Sequence, residues 1–134
     1  MNPVVHFELP YDDAERISRF YRSAFDWETR ALGPEMGNYV LATTSAKAGA
    51  RPAPGARPGA IDGGFFPRQD DGMTRHPSVV VGTLDIRESM RRVELAGGRV
   101  VGEPMDIPGV GAYVAFVDTE GNQLSMLQPL GSPQ

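Results

Sequence analysis

The chain has 134 residues and no cysteine. That length suits one domain, or two small modules fused around a core that needs no covalent staple, and the missing thiols exclude disulfides, thiolate zinc sites and a cysteine nucleophile. A net charge of −4 with scattered arginines argues against a nucleic-acid surface, and neither a leader nor a bilayer-length apolar run is evident, so a soluble cytoplasmic protein without nucleic-acid or membrane partners is expected.

Residues 1–10 alternate Val5, Phe7 and Leu9 with His6 and Glu8, which predicts a strand carrying His6 and Glu8 on one face. Pro10 ends it. Asp12 or Asp13 then offers an N-cap, Glu15 completes a capping box with Asp12, and Ile17, Phe20, Tyr21, Ala24 and Phe25 form a helical apolar stripe. Segments 27–31 and 39–44 read as strands joined by a turn around Gly33, Pro34 and Gly37. Segment 46–59 is made almost wholly of Ala, Gly, Pro, Arg and Lys and reads as a surface loop, with gating of a site as its functional alternative. Strand 60–67 follows, where Gly63 and Gly64 mark a bulge or a close backbone approach.

Residues 69–77 read as a linker. Strand 78–83 comes next, then a helix capped by Asp85 with Glu88 as its box partner, facing the core with Ile86, Met90, Val93 and Ala96 and stopped by Gly97 and Gly98. Strands 99–105, 112–117 and 123–128 close the chain, the last two joined by a hairpin in which Gly121 is available for positive φ. The helix of each half, from Asp13 and from Asp85, recurs at an offset of 72 residues, which also carries His6 onto Ser78. Each half therefore reads β-α-β-β-β. The plan is α+β, one domain with a first module at 1–68 and a second at 78–134.

His6-Phe-Glu-Leu-Pro-Tyr-Asp-Asp13, Phe20-Tyr21, Phe25-Asp-Trp27, the Gly97-Gly98 stop and Asp118-Thr-Glu-Gly-Asn122 together resemble the vicinal oxygen chelate superfamily of glyoxalase I, extradiol dioxygenases, and fosfomycin and bleomycin resistance proteins. The resemblance implies paired βαβββ modules curled into a half-open barrel, often as a homodimer, with a cavity for a small molecule. It also implies a divalent-ion site at four positions, which fall here on His6, near Asp62, and on Ser78 and Ser125. Two neutral hydroxyls in that set leave only His6 and Asp62 as a partial metal site, so either no cofactor or a weakly held divalent ion is expected, and glyoxalase I chemistry itself is not.

For function, His6 and Glu8 are the candidate catalytic pair of a glyoxalase-like enzyme, and Asp62, Phe65, Ser78, Tyr113 and Ser125 the candidate ligand-binding residues. The alternative is a metal-free protein that sequesters a compound, as in bleomycin resistance. For each residue a structural role stands beside the functional one. His6 also fits a hydrogen-bonded strand histidine, Glu8 a rim carboxylate, Asp62 a turn residue, the aromatics core packing, and the two serines polar fillers.

Overall fold

The computed structural model describes residues 1–45, 60–70 and 75–131; segment 46–59 lies outside them. Its elements are β1 (Val4–Tyr11), α1 (Ala14–Phe25), β2 (Glu28–Ala31), a 3-10 turn (Pro34–Met36), β3 (Val40–Thr43), β4 (Asp62–Pro67), β5 (Ser78–Gly82), α2 (Ile86–Leu95), β6 (Arg99–Ile107), β7 (Gly111–Val117) and β8 (Gln123–Pro129). The βαβββ plan therefore appears twice, as read from the sequence. The chain divides into two compact units, His6–Pro77, and Ser78–Gln134 together with Met1–Val5. No helix among the described residues is long and apolar enough to cross a membrane.

In the His6–Pro77 unit the strands run in the order β2-β3-β4-β1. The β1–β4 pair is parallel, and the β2–β3 and β3–β4 pairs are antiparallel. Helix α1 covers one face. Val40, Ala42 and Phe65 are fully buried beneath it, with Phe7, Ile17, Tyr21 and Trp27 packed around them, and the Tyr21 and Trp27 rings stack at 4.5 Å between centroids. The docking line on α1 is Ala14, Ile17, Ser18 and Tyr21, spaced as one helical face. The expected stripe is corrected here: Phe20 lies about a third of a turn off that line and is 57% exposed, Ala24 is exposed as well, and Phe25, which shares the line but is the last helical residue, is 62% exposed with its ring beside Tyr21 and Trp27.

Asp13 is the N-cap, accepting from Arg16 N at 3.0 Å, so Glu15 is one residue too early to close a box with it. Asp26, in the left-handed conformation, ends the helix.

The second unit has the order β5-β8-β7-β6, with β5–β8 parallel and the other pairs antiparallel. Ile86, Val114 and Met126 are its buried centre, joined by Val81, Met90, Val93 and Phe116. Asp85 caps α2 by accepting from Glu88 N at 3.1 Å. The expected return bond of a capping box is replaced, because the Glu88 carboxylate takes Arg91 at 2.9 and 2.6 Å instead. Ala96, expected in the core, is the exposed C-cap before Gly97, which takes φ 100.

Candidate functional site

Alternation along β1 sends Phe7 and Leu9 toward α1, and His6 and Glu8 to the opposite sheet face. The same alternation in β3 buries Val40 and Ala42, so Tyr39, just before that strand, falls on the His6 side. Pairing brings β4 alongside: His6 stands beside Asp62, Glu8 beside Gly64 and Leu41 beside Gly64. Neither glycine forms a bulge. Each allows a close approach, because a Cβ at Gly63 would clash with the Phe7 ring and a Cβ at Gly64 with the ring and hydroxyl of Tyr39.

Laid over Gly64, Tyr39 reaches both polar residues of β1. Its hydroxyl donates to Glu8 Oε2 at 2.9 Å and lies 2.9 Å from His6 Nε2. A carboxylate only accepts, so the phenolic proton goes to Glu8, and the Tyr39 oxygen is left with lone pairs facing His6 Nε2. Burial lowers the His6 pKa below the ordinary 6.5, against the Glu8 and Asp62 charges, which pull it up. The imidazole is neutral at pH 7.

Asp62 is held by a different set of contacts. Its Oδ1 accepts from Thr44 N at 2.8 Å, Ser45 N at 2.9 Å and Ser45 Oγ at 2.8 Å, while Thr44 Oγ1 donates to Ile61 O at 2.6 Å. Desolvation works to raise its pKa, but these bonds and the nearby His6 outweigh it and hold the carboxyl below its ordinary value. Asp62 thus clamps the end of β3 to the start of β4.

Of the other expected site residues, Phe65 is corrected: at 0% exposure it points into the core under α1, and Phe66 is the one that alternates to the His6 face. The remaining three belong to the second unit. Ser78 Oγ donates to Gln123 O at 2.9 Å, and Ser125 Oγ donates to Tyr113 Oη at 2.6 Å. His76 is exposed, two residues ahead of β5. Tyr39 is not among the expected site residues; the parity of residues 39, 40 and 42 and the facing Gly64 are the signals that locate it.

The internal repeat sharpens the family positions. An offset of 72 residues carries Glu8 onto Val80; Glu8 pairs with Gly64, and Val80 pairs with Ser125. The counterpart of Ser125 in the first unit is therefore Gly64, and Asp62 stands two residues earlier.

Two open depressions, of about 690 and 340 Å³, lie around Asp12 and Arg68 beyond the Tyr11 end of β1, away from His6. Exposed charges line the larger one, and the Arg68–Asp12 ion pair at 2.6 Å belongs to its wall. A ligand site needs apolar walls with a few convergent polar groups, so the candidate chemistry rests with the His6 network rather than with these surface hollows.

The donors at the metal positions do not suit a first-row divalent ion. His6 commits Nε2 to Tyr39, Asp62 Oδ1 already carries three hydrogen bonds, and both serine hydroxyls donate to protein oxygens. Such ions draw affinity from imidazole and carboxylate, which a neutral hydroxyl does not replace. Among the described residues no three of His, Cys, Asp and Glu are grouped to share an ion.

Two βαβββ units of this topology define the glyoxalase-like class of α+β proteins. The chain belongs to the Glyoxalase/Bleomycin resistance protein/Dioxygenase superfamily, whose family model matches residues 4–126. It is 31% identical over 123 residues to the anthracycline biosynthesis protein DauV of Streptomyces sp. (strain C5), covering 86% of this chain and 42% of that protein. A putative glyoxylase, CFP32, of Mycobacterium bovis is 33% identical over 67 residues, covering 50% of this chain and 26% of that protein. The chain thus spans less than half the length of these relatives. Among solved structures, a Streptomyces coelicolor methylmalonyl-CoA epimerase variant in complex with 2-nitronate-propionyl-CoA superposes with a TM-score of 0.70 at 14% identity, covering 100% of this chain and 99% of that one. That likeness establishes the shared fold.

Proposed function

We propose that the chain binds a small organic molecule against the sheet face bearing His6, Glu8 and Tyr39, and that His6 exchanges a proton with it. The observation that carries this reading is the run of hydrogen bonds from His6 through the Tyr39 hydroxyl to Glu8. A neutral imidazole held in one tautomer by a partner that ends in a carboxylate is the arrangement of a general base with its orienting group. The relatives' names, anthracycline biosynthesis and methylmalonyl-CoA epimerase, favour carbon skeletons with carbonyl groups, where a C–H beside the carbonyl is the proton to be moved. No metal step is part of this reading. A homodimer, which the superfamily resemblance implies, is part of it, and sedimentation velocity decides that point.

The experiment is deuterium incorporation. A panel of ketones and acyl thioesters is first screened for binding by calorimetry, then incubated with the protein in D2O and followed by proton NMR. Incorporation into a bound compound is expected, slowed by about 10²–10⁴-fold in His6→Ala, the usual worth of a positioned general base. Binding without incorporation for every ligand found would refute the proton transfer and leave the second reading, a sequestering protein. The observation favouring that alternative is that the Ser78 and Ser125 hydroxyls already donate within the protein.

A further inference from the structure

The geometry points to Tyr39 as the positioning residue of this site: laid across Gly64, its hydroxyl fixes the His6 ring so that Nε2 is committed as a donor and the lone pair, the basic position, is left on Nδ1. This rests on the proton-transfer reading of His6 and adds which ring nitrogen works and what holds it there.

Three independent observations converge. First, Tyr39 Oη lies 2.9 Å from both His6 Nε2 and Glu8 Oε2, residues that β1 puts on one face and that Tyr39 meets across 33 and 31 positions of sequence. Second, the phenol occupies that place only because residue 64 has no side chain; a Cβ there would overlap the ring itself, at atoms Cε1, Cζ and Oη. Third, the internal repeat equates Gly64 with Ser125, and there too a tyrosine hydroxyl is engaged, Tyr113 accepting from Ser125 at 2.6 Å. In the second unit the strand-borne hydroxyl is the donor to the phenol. In the first unit the strand position is bare, and the phenol passes over it to the imidazole. Position 64 is thus a glycine for a reason beyond strand packing.

The side chain of Glu8 sets the direction of the chain. With the phenolic proton drawn to a carboxylate, the phenol oxygen offers His6 only lone pairs, which selects the Nε2–H form of the ring. A tyrosine that merely packed over Gly64 would impose no such selection. The phenyl ring and the hydroxyl therefore have separable roles, and removing the oxygen alone tests the inference.

The test uses the whole chain labelled with ¹⁵N, at a pH where His6 is neutral, and needs no ligand. The chain has two histidines, so a His76→Ala variant assigns the His6 ring. Long-range proton–nitrogen correlation is expected to place the proton on Nε2 and the lone pair on Nδ1, with the Nε2–H protected from exchange with water. Tyr39→Phe keeps the ring over Gly64 and removes the oxygen; exchange of that proton should quicken by about tenfold, the worth of one ordinary hydrogen bond. Gly64→Ala, which displaces the ring but keeps the oxygen, should do the same; should that variant fail to fold, Tyr39→Phe alone decides. A wild-type ring protonated on Nδ1, or protection unchanged in Tyr39→Phe, would overturn the inference. Failure of deuterium transfer to any bound ligand would instead count against the proton-transfer reading, whatever the ring nitrogens show.

Discussion

Replacing Asp62 separates a clamp from a ligand. Its Oδ1 holds two backbone N–H groups and one hydroxyl at 2.8–2.9 Å. Net hydrogen bonds contribute roughly 1 kcal/mol each, more when one partner is charged, which would put three of them near 3 kcal/mol. The bonds share one oxygen and the side chain is only half-buried, so solvent competes, and about 2 kcal/mol is the expected loss for Asp62→Ala after that discount. Asp62→Asn keeps an acceptor but not the charge and should lose about half as much. The assay is urea unfolding, with a lowered midpoint at unchanged slope for both variants.

The acid limb gives a second reading of the same clamp. The folded-state pKa of Asp62 is depressed, so its contribution is present above the unfolded value and is lost as pH falls through the lower folded one. Wild type should lose stability in that window faster than Asp62→Asn, the two curves converging at the acid end. If Asp62→Ala unfolds within about 0.5 kcal/mol of wild type, the range of an ordinary surface change, the clamp is refuted, and Asp62 is better placed among the residues that touch a ligand.

Two further changes probe the cores. Phe65→Ala should cost about 3–5 kcal/mol in urea unfolding, as for a large aromatic removed from a filled interior, because Phe65 is 0% exposed beneath α1; a small loss would mean that it is not the packing residue described. Tyr113→Phe leaves Ser125 Oγ, in a residue only 4% exposed, without its 2.6 Å acceptor. The expected cost is about 1–2 kcal/mol, and the double variant with Ser125→Ala should recover part of it, a non-additivity read directly from the two midpoints.

Local rules were enough for most of the fold. The Asp13 and Asp85 caps, the Gly97 stop and the alternation in β1 each depend on a few neighbouring residues, and each stands where the sequence puts it. What depended on partners was less legible. Phe65 and Phe66 are adjacent, identical and on opposite faces, so only the pairing of β4 with β1 and β3 tells which one enters the core. Phe20 and Phe25 continue an apolar stripe in the sequence, yet Phe20 faces away from the docking side of α1 and Phe25 is exposed at its last turn. Asp62 beside two glycines reads as a turn or ligand residue, because its three donors come from 17 and 18 positions earlier. His6 and Glu8 were legible as a same-face pair; the tyrosine joining them was not, because it enters from another strand across a glycine.

The grouping of Met1–Val5 with Ser78–Gln134 bears on how the gene can be cut. The sequence repeat invites division within residues 69–77, yet Gly82 N donates to Pro3 O at 2.8 Å, and a Cβ at Gly82 would press on Val5 at 2.9 Å. A fragment starting at residue 78 would lose that acceptor and that apolar neighbour along with its first strand's companion residues. Residues 1–5 therefore complete a unit encoded more than seventy residues downstream of them: a piece carrying residues 78–134 should unfold at a higher urea midpoint when residues 1–5 are fused to it than when it is cut at the repeat boundary alone.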